Sequence, residues 1–204
     1  MNRTVELLNL WADFESKHAD AEIEDFCRYL LIREREKDKK NIFPDVASPP
    51  DNLSRLAKIT GRVAKLHNAY AVIALKDCGL SSIEEFIYLS DVHFMDKPQK
   101  TKVIYSNFNE LSSGLLILER LKKKKLIMEE ENSNDKRSKT VSITDKGKKI
   151  LFTCYEKMSA VNRFFFDKMP EDDVVMCIQL LSATEAEFSR RWLADRSRSF
   201  EELF

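Results

Sequence analysis

Residues 118–151 read LERLKKKKLIMEEENSNDKRSKTVSITDKGKKIL. Leu126-Ile127-Met128 is a short apolar run of β type. Glu129 to Ser138 is polar throughout and holds Asn132, Ser133, Asn134 and Asp135. These are turn formers, because their short side chains bond to nearby backbone. Lys139 to Ile143 then alternates polar and apolar, as a half-buried strand does. Two such runs around a polar segment predict a hairpin with a projecting charged tip over 129–138. Thr144-Asp145-Lys146-Gly147 opens a helix to about Met169. Its one face carries Ile150, Leu151, Cys154, Met158, Val161 and Phe165.

Three short helices are expected before the hairpin. Ser81-Ser82-Ile83-Glu84 has capping-box spacing and starts a helix to about Phe94, with Phe86, Ile87 and Leu89 inward. Pro98 lies near the start of a second, which ends around Asn107. A third runs from Ser112 or Ser113 to Lys125, with Leu115, Leu116, Leu118 and Leu121 apolar. Further upstream, Asp51 caps a long helix to about Asp77. Its apolar stripe follows the 3-4 spacing from Leu53 to Ala74, and Gly79 suits a left-handed terminator. Residues 41–52, NIFPDVASPPDN, form an extended connector, since Pro44, Pro49 and Pro50 fix the backbone. Two amphipathic helices precede it, over about 2–17 and 22–39, the second capped by Asp20. Downstream, Pro170 takes the first position of a last long helix carrying Val174, Ile178, Leu181, Phe188 and Trp192. The tail from Asp195 is polar and is read as frayed, with Phe200 and Phe204 the residues able to dock.

The composition excludes several classes. Of 204 residues, 43% are apolar and 33% charged, with Lys+Arg and Asp+Glu at 34 each. That is a globular balance, not a disordered one. No stretch of about 18 apolar residues exists, so no membrane helix is expected. The N-terminus carries Asp13 and Glu15 and does not read as a secretory signal. Cys27, Cys78, Cys154 and Cys177 are too far apart for a zinc site, and free thiols fit a reducing cytoplasm. Each is read as a small buried hydrophobe; Cys27 and Cys78, near helix ends, are the two where a thiolate could be exposed. No Gly-rich phosphate loop, GxSxG or HExxH occurs, so neither an enzyme nor a cofactor is expected. Charge is uneven: residues 1–52 hold 8 Lys/Arg against 12 Asp/Glu, whereas 97–150 hold 14 against 7, a net +7. A basic segment in a neutral chain points to a local polyanion-binding surface.

Three helices followed by a two-stranded hairpin make a winged helix-turn-helix. Its third helix enters a major groove and its wing touches backbone or minor groove. The candidate DNA contacts are Lys100, Thr101 and Lys102 at one helix start, Ser112 and Ser113 at the next, and Lys136, Arg137 and Lys139 on the wing. The free amides of a helix start favour phosphate, and arginine suits a narrow groove. The expected fold is mainly α with a small β-hairpin wing.

The segment 118–151 also resembles the wing region of the MarR-type (multiple antibiotic resistance) transcriptional regulators. Their pattern is Asp-x-Arg in the wing, a strand, then Leu-Thr-x-x-Gly opening a long helix. Here these are Asp135 and Arg137, then Ile143-Thr144 and Gly147. The resemblance implies that Arg137 reaches a minor groove and that Asp135 braces it. It implies a homodimer on double-stranded DNA, acting as a repressor. It also implies a small phenolic or lipophilic effector beside the dimer helices, where His67, Tyr70 and Phe86 would line a pocket. Residues 1–44 would be a two-helix extension, 45–80 and 145–195 a helical dimerisation region, and 81–144 the DNA-binding domain. Lys125 stands where the family often has glycine, and Gly114-Leu115-Leu116 where it often has polar residues. A winged protein-interaction module that reads no DNA sequence is the alternative.

Overall fold

The computed structural model describes residues 2–36, 46–132 and 135–204, excepting the side chains of 34–36 and 131–138. The helices are α1 (Arg3–Glu15), α2 (Ile23–Glu36), α3 (Asn52–Lys76), α4 (Ile83–Phe94), α5 (Lys100–Ser106), α6 (Leu111–Lys123), α7 (Asp145–Phe166), α8 (Glu171–Asp195) and α9 (Phe200–Leu203). β1 (Ile127–Asn132) and β2 (Asp135–Ile143) form the one sheet among the described residues. The chain divides into two compact units, 1–57 and 58–204. No helix of the described residues is long and apolar enough to cross a membrane.

The first unit is held by aromatic rings. Phe14 and Phe26 are buried, with centroids 5.6 Å apart, and Trp11 meets Phe26 edge-on at 5.0 Å. Asp20 does not cap α2. The helix starts at Ile23, and Asp25 accepts the Glu22 amide at 3.3 Å instead. Asp51 does cap α3, accepting the Ser54 amide at 2.8 Å.

The second unit buries one core shared by the end of α3, by α4–α6, the hairpin and α7. Gly79 ends α3 with φ +76°. The α4 cap is Ser82, which accepts from the Glu85 amide. The inward face of α4 is Glu85, Tyr88, Leu89 and Val92, an i, i+3, i+4, i+7 spacing. Ile87 was expected inward but is exposed, and Phe86 is half-buried. The hairpin is longer than its apolar residues suggest. Glu129, Glu130 and Glu131 pair with Val141, Thr140 and Lys139, so these acidic residues lie in a strand rather than a tip. Lysines facing Glu129 and Glu130 make this position tolerable for carboxylates. Gln99 adds a bridge to Thr140, and the Val141 amide donates to the Pro98 carbonyl at 3.0 Å. Proline suits that edge, because it offers an acceptor and needs no partner for an amide.

Pro170 is the N-cap of α8 rather than its first residue, with ψ 145°. Phe200 and Phe204 meet with tilted rings 5.1 Å apart but stay exposed, so neither docks. Cys78 and Cys154 are buried, whereas Cys27 and Cys177 are exposed. Burial, then the hydrogen bond with Cys78, pushes the Cys154 thiol up to about 12. Cys78 therefore belongs to the core and presents no exposed thiolate.

Candidate nucleic-acid interface

α6 is fixed at both ends. Near its start, Gly114 is buried, and a Cβ there would stand 2.5 Å from Ile104 side-chain carbons and 2.8 Å from the Tyr88 hydroxyl. The missing side chain lets α6 pass close over α4 and α5. Asn109 Nδ2 donates to that hydroxyl at 2.9 Å and ties the α5–α6 turn to α4. At the other end, the fully buried Glu85 carboxylate receives Lys124 Nζ at 2.6 Å and the Ser81 amide at 2.7 Å, with Arg120 Nε at 3.3 Å. A buried carboxylate needs such partners, since desolvation alone would expel its charge. By sequence Glu84-Glu85 is a carboxylate pair of ordinary surface kind, and Glu85 is buried instead because Arg120 and Lys124, 35 and 39 residues away, enclose it.

The outer face of α6 carries Ser112, Ser113, Leu116 and Lys123, all exposed. Leu116 belongs by sequence to the apolar set, yet it is 65% exposed while Ile117, Leu118 and Leu121 are buried. Spacing could have found it, since 112, 116, 119 and 123 share a face one step off the core stripe. The N-cap Glu110 makes no side-chain capping bond, so the first-turn amides are left open. A helix with hydroxyls at its start and an apolar side chain one turn on can meet base edges and a thymine methyl.

The root of the wing explains the Thr-x-x-Gly spacing. Thr144 Oγ1 accepts the Gly147 amide at 3.0 Å and donates to the Lys125 carbonyl at 2.8 Å. A Cβ on Gly147 would lie 2.1 Å from the Leu126 carbonyl oxygen. Lys125 has φ +60°, the left-handed region that favours glycine. Asp135, Lys136 and Arg137 belong to β2, but their side chains lie outside the described residues.

The remaining basic candidates differ in surroundings. Thr101 and Lys102 are exposed on the first turn of α5. Lys139 is exposed and 3.8 Å from Glu129. Lys100 is 18% exposed and ion-paired to Glu129, which also takes Lys122 at 3.0 Å. Lys97 pairs with Glu130 at 2.8 Å. Burial raises the Glu129 pKa, but hydrogen bonds from Lys100 and Lys122 outweigh it and bring it to about 2.

The three expected effector residues do not form one cluster. His67 bonds Asn162 at 2.9 Å and lies 5.4 Å from Phe165, while Tyr70 touches Phe164 and Phe165. Phe86 instead meets Tyr155, 5.7 Å away. An open groove of about 670 Å³ lies between α5 and α8, lined by Tyr105, Phe108, Glu185 and Leu193 but by none of the three.

No family model matches the chain, and no curated protein matches it. Solved structures do. The transcriptional regulator SlyA is 18% identical with a TM-score of 0.62, covering 67% of this chain and 96% of its own. A mutant MarR from E. coli complexed with operator DNA is 17% identical with a TM-score of 0.61, covering 71% and 99%. A SlyA-like transcription regulator from Listeria monocytogenes is 20% identical with a TM-score of 0.61, covering 74% and 100%. At 17–20% identity such likenesses establish architecture, so the fold of this chain is the winged helix-turn-helix with long flanking helices seen in MarR-type regulators.

Proposed function

We propose that this chain is a MarR-type transcriptional regulator that binds double-stranded DNA as a homodimer and represses its target genes. The observation that carries the reading is the outer face of α6, with Ser112, Ser113 and Leu116 held away from the core by Gly114 and Glu85. On this reading α6 lies in a major groove. Thr101 and Lys102 meet the backbone, and Arg137 of the wing enters the neighbouring minor groove with Asp135 bracing it. The operator complex of the similar E. coli MarR supports the same use of the fold. A small phenolic or lipophilic effector would act where α3 meets α7, at the His67–Tyr70–Phe165 cluster.

The test is selection of bound duplexes from a random pool with the purified protein, followed by titration of the winner at several salt concentrations. Expected is one recurring inverted repeat, bound with a log–log salt slope set by phosphate contacts. Recovery of no preferred sequence, with salt-insensitive or absent binding, overturns the reading and favours the protein-interaction module.

A further inference from the structure

Three lysines from three separate elements converge on one carboxylate. Lys100 opens α5, Lys122 lies in the last turn of α6, and Lys139 sits in β2. All three ammonium groups face Glu129 of β1. Lys100 pairs with Oε1, while Lys122 and Lys139 stand 3.0 and 3.8 Å from Oε2. Glu129 is 12% exposed and Lys100 18%, so that pair interacts largely out of water, where pairing is strong, while Lys122 and Lys139 reach the same carboxylate from the solvent side. The cluster borders an open groove of about 450 Å³, also lined by Lys125 and Thr144. Glu130 is the next residue of β1, and among the described residues its carboxylate takes Lys97 and the Ser142 hydroxyl.

A carboxylate and a phosphodiester are both monoanions that present two equivalent oxygens. Ammonium groups arranged around one will accept the other. Nothing structural requires three lysines here, since a single cation would neutralise Glu129. Two of the three, Lys100 and Lys139, already belong to the basic surface proposed to face DNA.

Resting on that DNA-binding reading, we propose that Glu129 is an internal competitor. In the free protein its carboxylate occupies a seat for a backbone phosphate built by Lys100, Lys122 and Lys139. A duplex must displace it, so that contact exchanges one anion for another. Fewer counterions are released, and binding to DNA of arbitrary sequence is restrained. Discrimination then falls to α6 and the wing.

The experiment compares wild type, Glu129→Gln and Glu130→Gln by titrating a random-sequence duplex at several salt concentrations. Glutamine keeps the shape of the side chain and removes its charge. Glu129→Gln is expected to bind about 5- to 10-fold tighter near 0.1 M salt, with a log–log slope steeper by about 1, since one added phosphate contributes about 0.9. Glu130→Gln makes the same change in net charge and should gain less than about 3-fold. Equal gains in both variants overturn the proposal in favour of simple net charge. Wild-type binding with a Glu129→Gln protein that gains nothing overturns it while leaving the DNA-binding reading standing. No binding by any of the three overturns both. Melting curves check the fold. Should Glu129→Gln be unfolded, Glu129→Asp decides: its shorter arm cannot reach three ammonium groups at once, so it must bind more tightly than wild type.

Discussion

Gly147 is the position where the long helix α7 meets the wing with no room for a side chain. The obstacle is backbone, the Leu126 carbonyl oxygen, which stands where a Cβ would have to go, so no rotamer change relieves it. Gly147→Ala should cost about 3 kcal/mol, the upper part of the overpacking range, read as a lower urea midpoint. Gly61, inside α3 with nothing within 4 Å, gives the opposite sign. Gly61→Ala should stabilise by about 0.5–1 kcal/mol, because only backbone entropy changes. The thiols divide in the same manner. Cys27 and Cys177 are exposed and should react with a thiol reagent within the mixing time of the native protein, whereas Cys78 and Cys154 should wait for unfolding. Four fast thiols would overturn that division. Glu129 supplies a pH signature. Its folded pKa of about 2 lies below the ordinary 4.5, so its contribution is complete above the ordinary value and is lost as pH falls through the folded one. The stability difference between wild type and Glu129→Gln should therefore shrink between about pH 5 and pH 2, measured by urea midpoints across that window.

Element by element, the order helix, helix, helix, hairpin, long helix was legible because each piece carries its own period. Thr144 and Gly147 marked the start of α7 correctly, since a cap is a local bond. What escaped the sequence depends on distant partners. The acidic run at 129–131 reads as a loop until Lys97, Lys100 and Lys122 face it, and those lysines are 7 to 33 residues away. The Gln99–Thr140 bridge joins segments 41 residues apart and has no local signature. Asp20 looked like a cap because Asx residues favour helix starts, yet Asp25, already inside α2, takes the bond. On α6 the stripe Leu115, Leu118, Leu121 also admits Leu116, so composition hid an apolar residue that faces outward. That residue yields the prediction for this element. If α6 reads bases, Leu116→Ala should leave stability within about 0.5 kcal/mol, as exposed sites do. It should nevertheless cost about 1–3 kcal/mol at the operator positions it touches. Melting and competition with single-base operator variants measure the two. A large loss of stability with no change in sequence preference would return Leu116 to the core.

At the scale of the whole molecule, the outstanding feature is apolar surface left exposed among the described residues. α8 spans 25 residues, and none of them is buried, although Ile178, Leu181 and Phe188 follow one stripe. α3 shows Ile59, Val63, Leu66 and Ile73 outward in the same manner. A helix gains most of its stability from packing an apolar face, so two such faces need a second surface. A second copy of the chain offers one, because an isologous contact places each stripe against its own mate. A stable two-fold dimer is expected, with a mostly apolar interface larger than about 2,000 Å² in total. Such a dimer would present two copies of α6 to half-sites about 34–36 Å apart, one turn of the duplex. The decisive variant is Ile178→Glu, which puts a charge on the stripe without touching the winged core. Light scattering at micromolar concentration should show wild type as a dimer and the variant as a monomer. The variant should also lose preference for the inverted repeat while keeping weak, salt-sensitive binding through one α6 and one wing. A wild-type monomer at that concentration would remove the two-fold arrangement. A dimeric Ile178→Glu protein that reads the repeat normally would place the interface elsewhere than on α8.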